Sequence, residues 1–200
     1  MANPQWHWGT IPDSPPTLEE RNALIAEEKR VLQKVQQAQK GYCAACGFPA
    51  MAALRGHKQD GRWFGVCPVC RAGLNLAFAP EEAQMVFMPE TPQVKINQTL
   101  HTIYAWMHSA DRNQLDTADI VFDLINDRSM YTESILGVRQ LTPGGLLAQV
   151  WDMSPTERQG AQRLLQHLRL ILFPEAIASA VDYWHKTVYP RWQPIQRKPS

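Results

Sequence analysis

The stretch Gly41–Leu76, GYCAACGFPAMAALRGHKQDGRWFGVCPVCRAGLNL, contains every cysteine of the 200-residue chain. They fall as Cys43-x-x-Cys46 and Cys67-x-x-Cys70 with twenty residues between, the spacing of a structural zinc site. Two residues between paired thiolates let one tight turn present both sulfurs to a tetrahedral ion, and two such turns close a four-sulfur shell with no position left for water. Gly47, directly after Cys46, suits a backbone of positive φ, and Pro68 fixes φ inside the second turn. A shell closed in this way stabilises a fold and performs no catalysis, so the expectation is one structural Zn²⁺. Two disulfides, or four unrelated buried thiols, are the alternatives. Disulfides need an oxidising compartment, and the absence of a charged-then-apolar opening segment leads us to expect reducing cytosol and a metal.

Around this stretch the chain is long enough for one good core, or for a small metal module docked on a helical body. No apolar run approaches the roughly eighteen residues of a membrane span, so membrane attachment is expected only through a partner. Twenty basic residues against nineteen acidic ones give a net charge of +1, which supplies no global field for nucleic acid. Of the seven tryptophans and fifteen prolines, several cluster at the two ends and predict an extended arm over residues 1–16 and an extended tail over 190–200. Trp6 and Trp8 have either the body or a partner to pack against.

Thr17-Leu-Glu-Glu20 is a capping box. It opens an amphipathic helix whose stripe is Leu24, Glu28, Val31, Val35 and Ala38 and which delivers the chain to Cys43. Between the knuckles, Met51–Arg55 and Arg62–Val66 are expected to pair as short strands, with Asp60-Gly61 as a turn signal. Arg71–Phe78 then starts a helical turn. Arg55, Lys58, Arg62 and Trp63 make a local basic and aromatic surface that either contacts nucleic acid or is simply a solvated hairpin. Met85–Met88 reads as a buried strand. Thr91-Pro92 opens a helix burying Ile96, Leu100, Ile103 and Met107, with His101 and His108 off the stripe and expected at the surface. Asp116-Thr117 is expected to cap a helix burying Ile120, Val121, Leu124 and Ile125, and Thr142-Pro143 another through Leu146, Leu147, Val150 and Trp151. Ser154-Pro-Thr-Glu157 starts a helix burying Ala161, Leu164, Leu165, Leu168 and Ile171, and Pro174 begins the last one, with Ile177, Val181, Trp184 and Val188.

The fold class expected is therefore α+β and mostly α, a zinc-knuckle hairpin module with a helical C-terminal body. The organisation is an arm at 1–16, a helix plus metal module at 17–90, a helical body at 91–189 and a tail at 190–200. Phosphate-binding, dinucleotide, zincin and hydrolase motifs are all missing, which weakens the case for those enzymes. A nuclease of the ββα-metal (HNH) kind is the enzyme to weigh, because that fold is often built between two CxxC knuckles. His57 has the place of its water-activating base, yet after Cys70 no histidine follows until His101, so a catalytic metal lacks ligands.

Taken together, the helix leading into Cys-x-x-Cys-Gly-Phe (Cys43–Phe48), the second knuckle at Cys67 and Cys70, the strand Met85–Met88 followed by Pro89, Glu90 and Gln93, the helix carrying Asn97, and the segment LRLILFPEAIASAVDYW at Leu168–Trp184 resemble the IcmJ/DotN family of type IVB (Dot/Icm) secretion and I-type conjugation systems. The resemblance implies a non-enzymatic subunit with a zinc-stabilised, HNH-like core that lacks nuclease function. It implies a place at the cytoplasmic side of the inner membrane, bound to the C-terminal tail of the coupling ATPase beside other coupling-complex subunits. The basic hairpin and the tryptophan-rich arm depart from the family pattern. A tail of this kind would lie between the metal module and the helical body, with Trp106, Trp151 and Trp184 as candidate anchors; core packing is the other use open to each.

Overall fold

A computed structural model describes residues 5–137 and 141–192; side chains at 162–164 also fall outside the description. Residues 1–4 of the arm, 193–200 of the tail and the side chain of Leu164 therefore lie outside the described residues. The molecule is a mostly helical α+β structure with two small antiparallel strand pairs. No helix among the described residues is long and apolar enough to cross a membrane.

Helix α1 (Leu18–Ala38) opens with the capping box, both reciprocal bonds being formed between Thr17 and Glu20. It lies on a hairpin of β1 (Arg55–Gln59) and β2 (Arg62–Val66). The first strand sits later than the expected Met51–Arg55, because Asp60 and Gly61 both take positive φ, 50° and 73°. That is the two-residue turn whose twist matches antiparallel strands, and pairing runs right up to it at Gln59 opposite Arg62. Met51–Ala53 is a 3₁₀ turn instead.

Close approach of α1 depends on a pair of glycines facing each other across the hairpin, Gly56 and Gly65. A Cβ at Gly56 would meet Glu28 Cγ at 2.7 Å, and one at Gly65 would meet Gln39 Oε1 at 2.7 Å. Glu28, inside the apolar stripe of α1, fills the space so created. Its carboxylate accepts from Gly56 N at 2.7 Å and from Arg71 Nη2 at 2.8 Å, and it is the buried residue of this helix. Replacing Glu28 by Gln keeps an acceptor of the same shape but leaves the half-buried Arg71 guanidinium without its charge partner. We expect the substitution to cost about 2 kcal/mol, the size of a charge-assisted hydrogen bond, read as a fall in the urea midpoint at unchanged slope; a loss below about 0.5 kcal/mol would rule this pairing out as a support of the hairpin.

After β2 come α2 (Pro68–Leu74) and β3 (Gln84–Phe87), then α3 (Gln93–Trp106), α4 (Arg112–Asn126), α5 (Ser129–Leu136), α6 (Pro143–Asp152) and α7 (Pro155–Leu165). The chain returns as β4 (Leu168–Ile171) and continues into α8 (Ala178–Thr187) and a 3₁₀ turn at Tyr189–Arg191, which stands where the extended tail is expected to begin. The predicted buried strand at Met85 is thus present, and its partner is a segment whose leucine spacing predicts a helix: Gln84 faces Ile171 and Phe87 faces Leu168. Leu168, Leu170, Ile171 and Leu172 are all buried and Arg169 alone interrupts them, a short apolar run that fits a buried strand as well as the leucine spacing fits a helix. Helix α4 also differs. Asp111 caps it, its side chain accepting from Asn113 N at 2.9 Å, and the buried face is Ala118, Phe122 and Ile125. Ile120 and Leu124 lie on the opposite face, 60% and 62% exposed.

The arm packs intramolecularly over its described part. Gly9 N donates to Gly73 O at 2.7 Å and Thr10 N to Leu74 O at 3.2 Å, Trp6 sets its edge against Phe64 with centroids 5.2 Å apart, and Trp151 Nε1 holds Pro12 O at 2.9 Å. The buried residues of the hairpin, the knuckles, α3, β3, β4 and α8 form one hydrophobic cluster that includes all four cysteines.

Candidate metal centre

Each knuckle closes its turn with a hydrogen bond of its own. Gly47 takes φ +77°, as its place after Cys46 predicts, and Gly47 N closes the first turn onto Cys43 O at 2.9 Å. In the second, Cys67 is the N-cap of α2 and Pro68 its first residue, so Cys70 N points at Cys67 Sγ, 3.4 Å away. Ala44 N donates to Gly65 O at 2.9 Å, which pins the first knuckle to the end of the hairpin that leads into the second.

The four sulfurs lie within 4.8 Å of one another and all four residues are buried, between 0% and 8% exposed. Cys46 Sγ and Cys67 Sγ are 3.8 Å apart. A tetrahedron of sulfurs about 2.3 Å from a central zinc has an edge of about 3.8 Å, so the pair sits at the separation a metal would impose, well beyond the roughly 2 Å of a disulfide. The cysteines are free. Burial pushes the Cys67 and Cys70 thiols well up, whereas Cys43, despite its burial, is held well down by hydrogen bonds from Cys46, Cys67 and Cys70. Four thiolates cannot coexist here without a cation, and the donor set fits an ion such as zinc. These are the cysteines the sequence singled out, and they are the cluster of potential metal ligands among the described residues.

Helix α3 brings three further polar side chains to the cluster, none of which its apolar stripe predicted. Asn97, fully buried, places Nδ2 3.2 Å from Cys70 Sγ. His101, expected at the surface, is 1% exposed; its Nε2 lies 3.3 Å from Cys67 Sγ and its ring stacks on Phe48 at 3.6 Å. Burial pushes its pKa down to about 3. Gln98 Nε2 donates to Cys46 O at 3.0 Å. The helix shows a signal for this in hindsight: Gln93, Asn97, His101 and Tyr104 recur at four, four and three residues, a second buried stripe made of polar groups. His108, by contrast, is exposed as expected.

The other candidate residues are placed differently. Trp184 is fully buried, with Nε1 donating to Ala50 O at 3.2 Å; it belongs to the core and is closed to any partner, because its ring is packed edge-on against the stacked pair Phe48 and His101. Trp106 is half-buried against the core, and Trp151 is committed to the arm. On the hairpin, Arg55 and Arg62 are exposed, but Lys58 Nζ and Trp63 Nε1 both bind the carboxylate of Glu27 on α1, at 2.9 and 3.0 Å, which neutralises part of the basic surface. His57 is buried beneath Trp6, ring centroids 6.2 Å apart, and burial first, then the Arg71 charge, lowers its pKa. The chain matches no known protein-family model and no curated protein.

Proposed function

We propose that this chain is a zinc-stabilised, non-catalytic adaptor subunit of a type IVB secretion or conjugation coupling complex, binding the tail of the coupling ATPase and helping to recruit transfer substrates. The observation that carries the non-catalytic half of this reading is the closure of the four-sulfur cluster: buried sulfurs, packed by Phe48, Asn97 and His101, leave no open position at which a metal would activate water. The centre then holds one Zn²⁺ through Cys43, Cys46, Cys67 and Cys70, and what the ion supplies is folding energy. What supports an HNH-like reading of the metal module is the order β1, β2, α2. Its would-be base His57 sits beside the Arg71 cation, and Asn75 spends its side-chain oxygen on Ala77 N at 3.0 Å; both features disfavour a second, catalytic cation there.

The adaptor half rests on the resemblance of the knuckles, the strand with Pro89, Glu90 and Gln93, and the segment Leu168–Trp184. It places the protein in the cytoplasm, peripheral to the inner membrane through its partner. With Trp184 in the core and Trp151 committed to the arm through Pro12, Trp106 is left of the three anchor candidates.

Co-purification of the tagged protein from its native host, with zinc measured on the same nuclease-treated sample, tests both halves. Recovery of a coupling ATPase in near-equal amount with about one zinc per chain is the expected result. Recovery of nucleic acid that is released steeply by salt, with no transfer protein, would overturn the adaptor reading and turn attention to Arg55 and Arg62.

A further inference from the structure

We infer that α3 supplies the outer coordination shell of the metal centre, with Asn97 and His101 donating N–H···S hydrogen bonds to Cys70 and Cys67, and with Gln93 tying that shell to the backbone of β4. The inference rests on the reading of the cysteine cluster as a metal site and concerns residues that the four-cysteine spacing does not reveal.

The direction of every bond in this chain follows from one backbone group. Leu170 N can only donate, and it donates to Gln93 Oε1 at 2.8 Å. The other end of that amide is therefore Nε2, whose two hydrogens go to Leu170 O at 2.7 Å and Asn97 Oδ1 at 2.8 Å. Asn97 Oδ1 being thus occupied, its Nδ2 is the group that faces Cys70 Sγ at 3.2 Å. The orientation of both amides, which electron density seldom decides by itself, is dictated here by a strand. All three residues, Gln93, Asn97 and Leu170, are 5% exposed or less, so water offers none of them another partner.

His101 reaches the second knuckle from the next turn of α3. Of its two ring nitrogens, Nδ1 is buried with no partner among the described residues. The proton therefore belongs on Nε2, the nitrogen that has an acceptor in Cys67 Sγ. Phe48, stacked on one face, and Trp184, edge-on at 5.0 Å, fix the ring plane.

Four thiolates around a divalent ion leave a charge of −2 in a buried site. Two N–H donors on different sulfurs spread that charge and orient the ligands, and removal of such outer partners typically costs 10–100-fold in metal affinity. Because Gln93 bonds both the N–H and the C=O of Leu170, the shell also anchors the metal centre to β4.

The test uses the full-length protein loaded with ¹¹³Cd²⁺. In the wild type, scalar couplings from the cadmium to the Asn97 Nδ2–H and His101 Nε2–H protons are expected, since such couplings pass only through hydrogen-bonded sulfur. Asn97→Leu and His101→Phe, which keep the branched outline of the one and, for the phenyl ring, the stack on Phe48, are expected to release zinc to a chelator about 10–100-fold faster. A merely structural role would not produce the couplings. Cadmium bound at the four cysteines with neither coupling detected would overturn the inference while leaving the metal site standing. Failure of the wild type to take up cadmium or zinc would overturn the metal reading, and this inference with it.

Discussion

Stripping the metal is expected to unfold the protein as a whole, not to loosen a single loop. The four cysteines belong to the same buried cluster as Leu54, Val66, Ile96, Leu100, Leu170 and Trp184, so no boundary of exposed surface separates the knuckles from the rest. A structural zinc site contributes roughly 10–16 kcal/mol of apparent binding free energy at neutral pH, against a total stability of about 5–15 kcal/mol for an ordinary domain. On those magnitudes the apo state has little or no net stability. Chelation, or Cys67→Ser at the sulfur that caps α2, should therefore abolish the cooperative thermal transition followed by circular dichroism, and readdition of zinc should restore it to the chelated wild type. A chelated protein that still melts cooperatively within a few degrees of the loaded one would show that the hydrophobic cluster alone carries the fold, and the metal would then need another purpose.

The parts of this architecture that were legible in the sequence are those whose geometry is local. Cys-x-x-Cys, Asp60-Gly61, Thr17 with Glu20 and Ser154 with Glu157 each fix a turn or a helix start within a few residues, and the structure forms every one of these turns and caps. Pairings between distant segments were not legible. Strand β4 meets β3 about eighty residues earlier in the chain, and its leucines continue a helical spacing from α7, so nothing local separates strand from helix. What decides for the strand is the company it keeps: β3 on one edge and the Gln93 amide on the other.

Buried polar residues were the other blind spot, for a related reason. Sequence patterning identifies a core by its apolar stripe, and Gln93, Asn97 and His101 lie beside that stripe on α3, where surface residues are ordinarily found. They are buried because each has a fixed partner, a backbone peptide unit or a sulfur, and unpaired they would cost about 1–3 kcal/mol apiece. Glu28 is the opposite case. It stood inside the apolar stripe of α1 in plain view, and its burial follows from a glycine pair on a hairpin that α1 precedes. A polar residue at a core register is thus a sign of a specific partner elsewhere in the chain.

Trp184→Ala should be among the most damaging single substitutions outside the knuckles. The indole is wholly buried and stands edge-on to both Phe48 and His101, centroids 5.0 Å from each, so its removal opens a cavity directly against the residues that back the metal cluster. Truncation of a buried tryptophan costs about 3–5 kcal/mol, and the Ala50 carbonyl that accepts from Nε1 loses its partner as well. Trp184→Phe separates the two contributions: it retains most of the edge contacts and forfeits the hydrogen bond, for which about 1–3 kcal/mol is expected. Denaturant midpoints measured at saturating zinc check both values. The alanine variant should also release zinc faster than wild type, because the His101 ring loses one of the walls that hold Nε2 toward Cys67. An alanine variant destabilised by less than about 1 kcal/mol would mean that the site collapses freely, in which case Trp184 would not be what holds α8 against the metal module.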